Sequence, residues 1–434
     1  MSACPPPAES GFRRFLRTCG PGVISGAAND DPSCISTFAV AGAAFGYMTL
    51  WTSLLCLPLV GAVQMMCSRL GMVTGRGLAG VVRRTYPAWV LFITCTLLVS
   101  ANAVNIGADL GGMAEVTELV TGVSAYVWTV VYAAFAVVLM FALPYRKIVQ
   151  YFKWLTLVLF SYMITALLAK PDWYAVLRAT FIPSAEWSTQ YLSVIVGILG
   201  ATLSPYLLFW QPSQEVEEER VKGRETVQQR LGASSRELDA SKLDVATGAF
   251  FSRLITYFIT LTTAATLFAN GQRHIATAKD AAEALRPLAG DAAYGLFAVG
   301  LLGTGFLAIP VLAGSSAYAV SEALSWRASL ERPPSYAPGF YGTIACSVLV
   351  GLGLKMMGFS AVSMLFWSAV INGVITPAMI ALVVLLSSRE DLMGTRRATP
   401  WLKFLGWTTV LLTGAAAIAM ISSLLKNGFG SGPQ

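Results

Sequence analysis

The amino-acid sequence predicts an all-α integral membrane protein of about eleven membrane-spanning helices, and three observations carry that prediction. Of its 434 residues, 55% are hydrophobic and only 12% are charged, where ordinary soluble domains carry roughly 25% charged residues. The apolar residues gather in runs of about twenty, the length a helix needs to cross the hydrocarbon core. The basic residues, finally, fall unevenly between alternate connecting segments, as they do when one side of a membrane faces the cytoplasm.

Taken in order, the runs place spans at 20–45, 47–71, 87–112, 124–143, 147–169, 190–212, 246–270, 293–322, 338–357, 360–387 and 401–425. The ninth and eleventh are the least distinct. No cleavable signal is visible: Pro5-Pro6-Pro7 and the cluster Arg13, Arg14 and Arg17 flank a full span instead of a short signal core. With the N-terminus inside, the inner segments hold 23 of the 30 Lys and Arg and the outer segments 7, so the expected topology is N-terminus cytoplasmic and C-terminus outside, in the cell membrane. The same bias accounts for the net charge of +7 without a nucleic-acid partner. The seven cysteines form no CxxC pair and mostly lie inside spans. They read as small apolar residues, with Cys34 a candidate exception.

Residues 1–19 form a cytoplasmic N-terminus, 20–170 a first group of five spans, 171–189 an outer loop, 190–387 a second group of five, and 388–434 the eleventh span and tail. The longest polar interruption, 213–245, carries Gln214-Glu215-Val216-Glu217-Glu218-Glu219-Arg220 and reads as a solvated cytoplasmic connector. A frayed tail is expected over 427–434.

Two spans carry polar interruptions that break a helix near mid-membrane. The first contains Ala27-Ala28-Asn29-Asp30-Asp31-Pro32-Ser33-Cys34, and the sixth contains Gly200-Ala201-Thr202-Leu203-Ser204-Pro205-Tyr206. Spans one and six are equivalent members of the two groups, and paired interruptions at equivalent positions point to the substrate site of an inverted-repeat transporter. Proline has no amide hydrogen and clashes with the preceding turn, so Pro32 and Pro205 release backbone carbonyls. Those carbonyls must be buried in protein or line a wet cavity. Asp31 adds a carboxylate whose insertion costs at least about 2.5 kcal/mol at this depth, and a bound cation would compensate it. A cap on the following half-helix is the other use for that side chain.

These residues resemble the natural-resistance-associated macrophage protein (Nramp) family of metal-ion transporters. The resemblance rests on Pro21-Gly22-Val23-Ile24-Ser25-Gly26 through Asp31-Pro32-Ser33-Cys34, on Phe45-Gly46-Tyr47, and on Gly200 through Tyr206. The family signatures are Asp-Pro-Gly-Asn and Met-Pro-His, of which the Asp-Pro and Pro elements survive here, as in a divergent branch. The resemblance implies a LeuT-type 5+5 inverted repeat with discontinuous helices 1 and 6, and transport of a divalent metal ion by alternating access, without a cofactor or enzymatic activity. It makes Asp31 the ligating carboxylate and the carbonyl of Ala201 the backbone ligand. The asparagine ligand falls at Cys34 and the methionine ligand at Ser204, which removes the soft thioether that favours transition metals over magnesium and calcium. Cys34 restores softness only if it ionises, and in an apolar setting it is otherwise a small residue allowing close approach. Asn372, just before Thr376-Pro377, is a candidate for a further oxygen.

The family's proton-handling positions are altered as well. Tyr206 and Gln211 stand where it has two histidines, Asp109 matches an acid of the third span, and the partner acid is replaced by Gly112. The only histidine, His274, lies in an outer loop. Weak or absent proton coupling is therefore expected, with Asp109, Tyr206 and Gln211 as candidate proton or gating residues. Elsewhere, Asn102 and Asn105 are expected to bond across helices, Glu322 to reach the membrane interface, and Gly303, Gly305 and Pro310 to mark a tightly packed, kinked eighth helix. The expected cargo is manganese or iron(II), with magnesium next, carried by a monomer in the bilayer. An amino-acid or sodium-coupled carrier of the same fold, and a metal sensor that does not transport, are the competing readings. Asp30 and Asp31 at the break argue against a carboxylate substrate there, and no HExxH pattern supports an intramembrane enzyme.

Overall fold

Asp31 and Pro32 start the first described helix as their chemistry requires. Asp31 is extended (φ −67°, ψ 168°), its side chain accepts from the Cys34 amide, and Pro32 opens α1 (Pro32–Phe45) with an amide that needs no partner. Gly46 closes the helix at φ +59°. The computed structural model describes residues 30–275, 278–285, 290 and 293–427, and among them every regular element is helical. Residues 20–29 of the first expected span, the N-terminal stretch 1–19 and the tail 428–434 lie outside the described residues.

The helices that follow are α2 (Trp51–Thr74), α3 (Leu78–Thr85), α4 (Ala88–Thr121), α5 (Ala125–Ala142), α6 (Tyr145–Thr156), α7 (Ser161–Leu168), α8 (Thr189–Thr202), α9 (Pro205–Val221), α10 (Ser235–Thr266), α11 (Ala293–Leu324), α12 (Pro338–Met356), α13 (Ala361–Ser388) and α14 (Pro400–Asn427). Among the described residues nine helical stretches are long and apolar enough to cross a membrane, with α8 and α9 together forming one of them. The chain is a multi-pass α-helical membrane protein.

Three expectations are corrected. The fifth span is not one helix: α6 gives way to a 3-10 turn at Leu157–Phe160 before α7. No Pro or Gly marks the place; just past it, Thr262 of α10 donates to the Tyr162 carbonyl at 2.7 Å and ties α7 to α10. The stretch 213–245 is solvated only in part: residues 221–244 are mostly exposed, but its first turns are buried. α9 continues to Val221, and Glu215, Glu217 and Glu219 are 5%, 4% and 2% exposed. Partners offset their burial: Glu217 accepts from Arg220 (2.6 Å) and Ser329 (2.9 Å), Glu215 from Ser68 (2.8 Å) and Gln211 (2.9 Å), and Glu219 from Lys222 (3.1 Å) and Arg224. Glu322 does not reach out to the interface either. Its two oxygens accept from the amides of Gly77 (2.9 Å) and Gly80 (2.8 Å), capping α3 where the N-cap residue Gly77 has no side chain.

Small residues set how the central helices meet. α8 lies on α13, and a Cβ added at Gly200 would overlap the Ala369 carbonyl oxygen and the Gly373 amide nitrogen. Likewise α1 lies on α10 with Gly42 against Thr260 and Thr263. Without a hydrophobic force between helices in lipid, such backbone approach is what holds them. α4 packs against α11, α12 and α13 and also touches α1, so its polar face looks towards the two breaks.

Candidate functional site

The start of α1 and the gap between α8 and α9 come together. α8 ends at Thr202 and α9 begins at Pro205, with Leu203 and Ser204 between them. From the first turn of α9, Tyr206 donates its hydroxyl to Asp31 Oδ2 at 3.2 Å, while Asp31 Oδ1 accepts from the Cys34 amide at 2.6 Å. Asp31 therefore does cap α1, and its second oxygen faces the other break. Residues 175 positions apart in sequence are joined at a carboxylate that is 3% exposed.

Ser204 turns its hydroxyl onto the carbonyls of Gly200 (2.9 Å) and Ala201 (3.1 Å). One hydroxyl proton serves one acceptor at a time, so the lone pairs of Ser204 and one of those carbonyls stay available as hard oxygen donors. Thr376 of α13 donates to the Leu203 carbonyl at 3.0 Å, which closes the gap from that side. Asn372, one turn earlier, donates to Asn105 Oδ1 at 3.3 Å. Among the described residues Asn372 Oδ1 has no hydrogen-bond partner.

α4 carries the rest of the polar surface. Asn102, Asn105 and Asp109 recur at helical spacing, all buried. Asn102 Nδ2 donates to the Leu312 carbonyl and to Ser315 and Ser316 of α11, the cross-helix bonding expected of it. Among the described residues both oxygens of Asp109, Nδ2 of Asn105 and Oδ1 of Asn102 lack partners. Buried polar atoms left this way call for water or an ion. Asp109 and Asp31 interact electrostatically across the α1–α4 contact. One turn beyond Gly112, Glu115 accepts from Lys355 Nζ of α12 at 3.1 Å and from the Ala361 amide at 2.9 Å. The acid missing at position 112 thus has a counterpart three residues on, paired with a lysine whose side chain is 7% exposed.

Gln211 lies away from the breaks, bonded to Glu215, which Ser68 and Ser241 also approach. Between the breaks and that network Trp210 is fully buried, with Tyr145 and Tyr318 rings at 4.9 and 6.1 Å. Tyr206, Gln211 and Glu215 lie along one helix running from the breaks to this end of α9.

The structure gives Asp30 a partner that the sequence reading did not use, Arg253. Asp30 accepts from Ser252 at 2.7 Å, and the Arg253 guanidinium lies 3.9 Å from the same oxygen. Arg253 also donates to Thr202, the last residue of α8, at 2.7 Å. The Cys34 thiol lies beside Arg253 and Asp30. Among the described residues no three His, Cys, Asp or Glu side chains gather as a metal cluster. The donor set at the breaks is one carboxylate with amide, hydroxyl and backbone oxygens.

The bundle has the fold of membrane transporters of known structure. The chain superposes on a manganese transporter from Eremococcus coleocola with a TM-score of 0.75, at 20% identity, covering 100% of this chain and 92% of that one. It superposes on Mhp1, a nucleobase-cation-symport-1 family transporter, with a TM-score of 0.56, at 15% identity, covering 94% and 93%. The fold is related to LeuT-type transporters. A curated relative, the divalent metal cation transporter MntH of Caldanaerobacter subterraneus subsp. tengcongensis, is 26% identical over 408 residues, 91% of this chain and 90% of its own length. The family model for natural resistance-associated macrophage protein-like proteins matches residues 22–423, and the chain belongs to the Nramp family.

Proposed function

We propose that this protein is a secondary transporter of divalent metal cations of the manganese or iron(II) kind, working by alternating access. The observation that carries the reading is the buried Asp31 carboxylate shared between the start of α1 and the Tyr206 hydroxyl of α9. Family membership and the metal transport stated for relatives such as MntH support it. In this reading the ion takes Asp31, the Ala201 carbonyl and Ser204, with Asn372 completing an oxygen-rich shell and Cys34 a ligand only as thiolate. Oxygen donors without a thioether give weak discrimination against magnesium. The discontinuity of helices 1 and 6 in a 5+5 repeat, eleven spans with N-terminus inside and C-terminus outside, and a monomeric state belong to the same proposal.

Proton movement, if coupled, runs through Asp31 and Asp109, since the histidine positions hold Tyr206 and Gln211. The Glu115–Lys355 pair stands where α4 and α12 separate or close as the access changes. Isothermal titration of the detergent-purified protein tests the assignment. Mn2+ should give saturable heat that Asp31→Ala removes, while amino acids give none. Heat from an amino acid but not from Mn2+ would move the chain to the solute-carrier reading.

A further inference from the structure

Arg253 is the unexplained group nearest the breaks. It projects from α10, which carries no other charged residue after Asp244, and its side chain is 3% exposed. A guanidinium stays charged in proteins, so a permanent cation is fixed inside the bundle. Its contacts hold it between the two breaks. Nη1 donates to Thr202 Oγ1 at 2.7 Å, at the end of α8, and Nη2 donates to Ser252 Oγ at 2.9 Å, which donates in turn to Asp30 Oδ1 at 2.7 Å. The Phe38 ring of α1 lies 5.6 Å from the guanidinium carbon. Among the described residues Nε has no partner.

The position matters because of what each break presents. The end of α8 is the negative pole of that helix, and half-helix ends with unwound carbonyls are where transporters of this architecture hold their coupling cation. Asp30 would otherwise stand beside Asp31 as a second carboxylate for a divalent ion. We propose that Arg253 is a resident cation that specifies the site: it neutralises Asp30, withdraws that carboxylate from the transported ion, and leaves the ligand role at the start of α1 to Asp31. Selectivity and affinity are then set by a fixed positive charge supplied by the protein in place of a mobile one. This rests on the transport reading above and goes beyond it by naming the group that sets the charge of the site.

The test is initial Mn2+ uptake into proteoliposomes at matched protein density, comparing wild type, D30N, R253Q and D30N/R253Q, with D31A alongside. D30N leaves the guanidinium uncompensated and should raise KM at least about tenfold, a floor that unit charges even roughly 12 Å apart reach at an effective dielectric near 20. R253Q removes the repulsion and should lower KM at least about threefold by the same reasoning. D30N/R253Q, neutral at both positions, should return KM to within about threefold of wild type. A KM for D30N equal to that of the double variant, or a KM for R253Q at or above wild type, would overturn the inference. If D30N fails to assemble on gel filtration, the sign of the R253Q change decides. Wild-type vesicles that take up no Mn2+, or D31A vesicles that match wild type, would sink the transport reading itself. Loss of uptake in D31A with a flat charge series would sink only the role given to Arg253.

Discussion

Glu322→Ala should loosen the hold of α11 on α3 by an amount the structure lets us set. Glu322 makes two charge-assisted bonds to backbone amides, at 2.9 and 2.8 Å, and no other side chain caps α3. Each such bond contributes about 1.5–3 kcal/mol, and the negative charge at a helix N-terminus adds about 0.3–1 kcal/mol. Because Glu322 is half-buried and water can take over part of its role, we expect a net loss of about 2–4 kcal/mol for local opening of α3. At 1.4 kcal/mol per tenfold, that is an acceleration of amide exchange across Leu78–Thr85 by about 30- to 1,000-fold. Hydrogen-exchange mass spectrometry of the purified protein reads it directly, with Glu322→Gln intermediate because one oxygen acceptor remains. Unchanged exchange across α3 in Glu322→Ala, with folded protein in hand, would refute the assignment of Glu322 as the tether between α11 and the α2–α3 corner.

Further outcomes follow from other contacts. Gly200→Leu should abolish assembly, because α8 and α13 touch backbone to backbone there; detergent-stable monodisperse protein at wild-type yield would contradict that. Ser204→Met restores a thioether beside Asp31 and should shift competition in the uptake assay towards softer ions, with magnesium competing less than against wild type. Glu115→Lys or Lys355→Glu alone leaves a buried like-charge pair and should reduce folded yield, and the charge-swapped double variant should recover part of it. A double variant no better than either single one would show that the pair does not act as a pair.

Much of this was legible in the sequence. Hydropathy placed most of the spans because lipid imposes a simple length and composition rule. The two Pro-containing interruptions stood out because proline in a spanning helix has few uses, and Asp31 and Tyr206 beside them meet in the structure. What stayed hidden depends on partners distant in the chain. The Glu215–Glu219 run reads as solvated because charge alone does not reveal Ser68, Tyr318 or Ser329 waiting across the fold. Arg253 was counted as one more inner cation, since its acceptors Thr202 and Ser252 and its counter-charge Asp30 carry no pattern that links them. The break at Leu157–Phe160 has neither Pro nor Gly to announce it. Glu115 was passed over because the family pattern looks for an acid at position 112, one turn away.

The central claim, that a divalent ion crosses the membrane through the carboxylate at the first break, is tested most directly by Mn2+ uptake into proteoliposomes holding wild type or Asp31→Ala at equal density. The account predicts saturable uptake by wild type and uptake by the variant no faster than by protein-free vesicles. Wild-type rates in Asp31→Ala would contradict it.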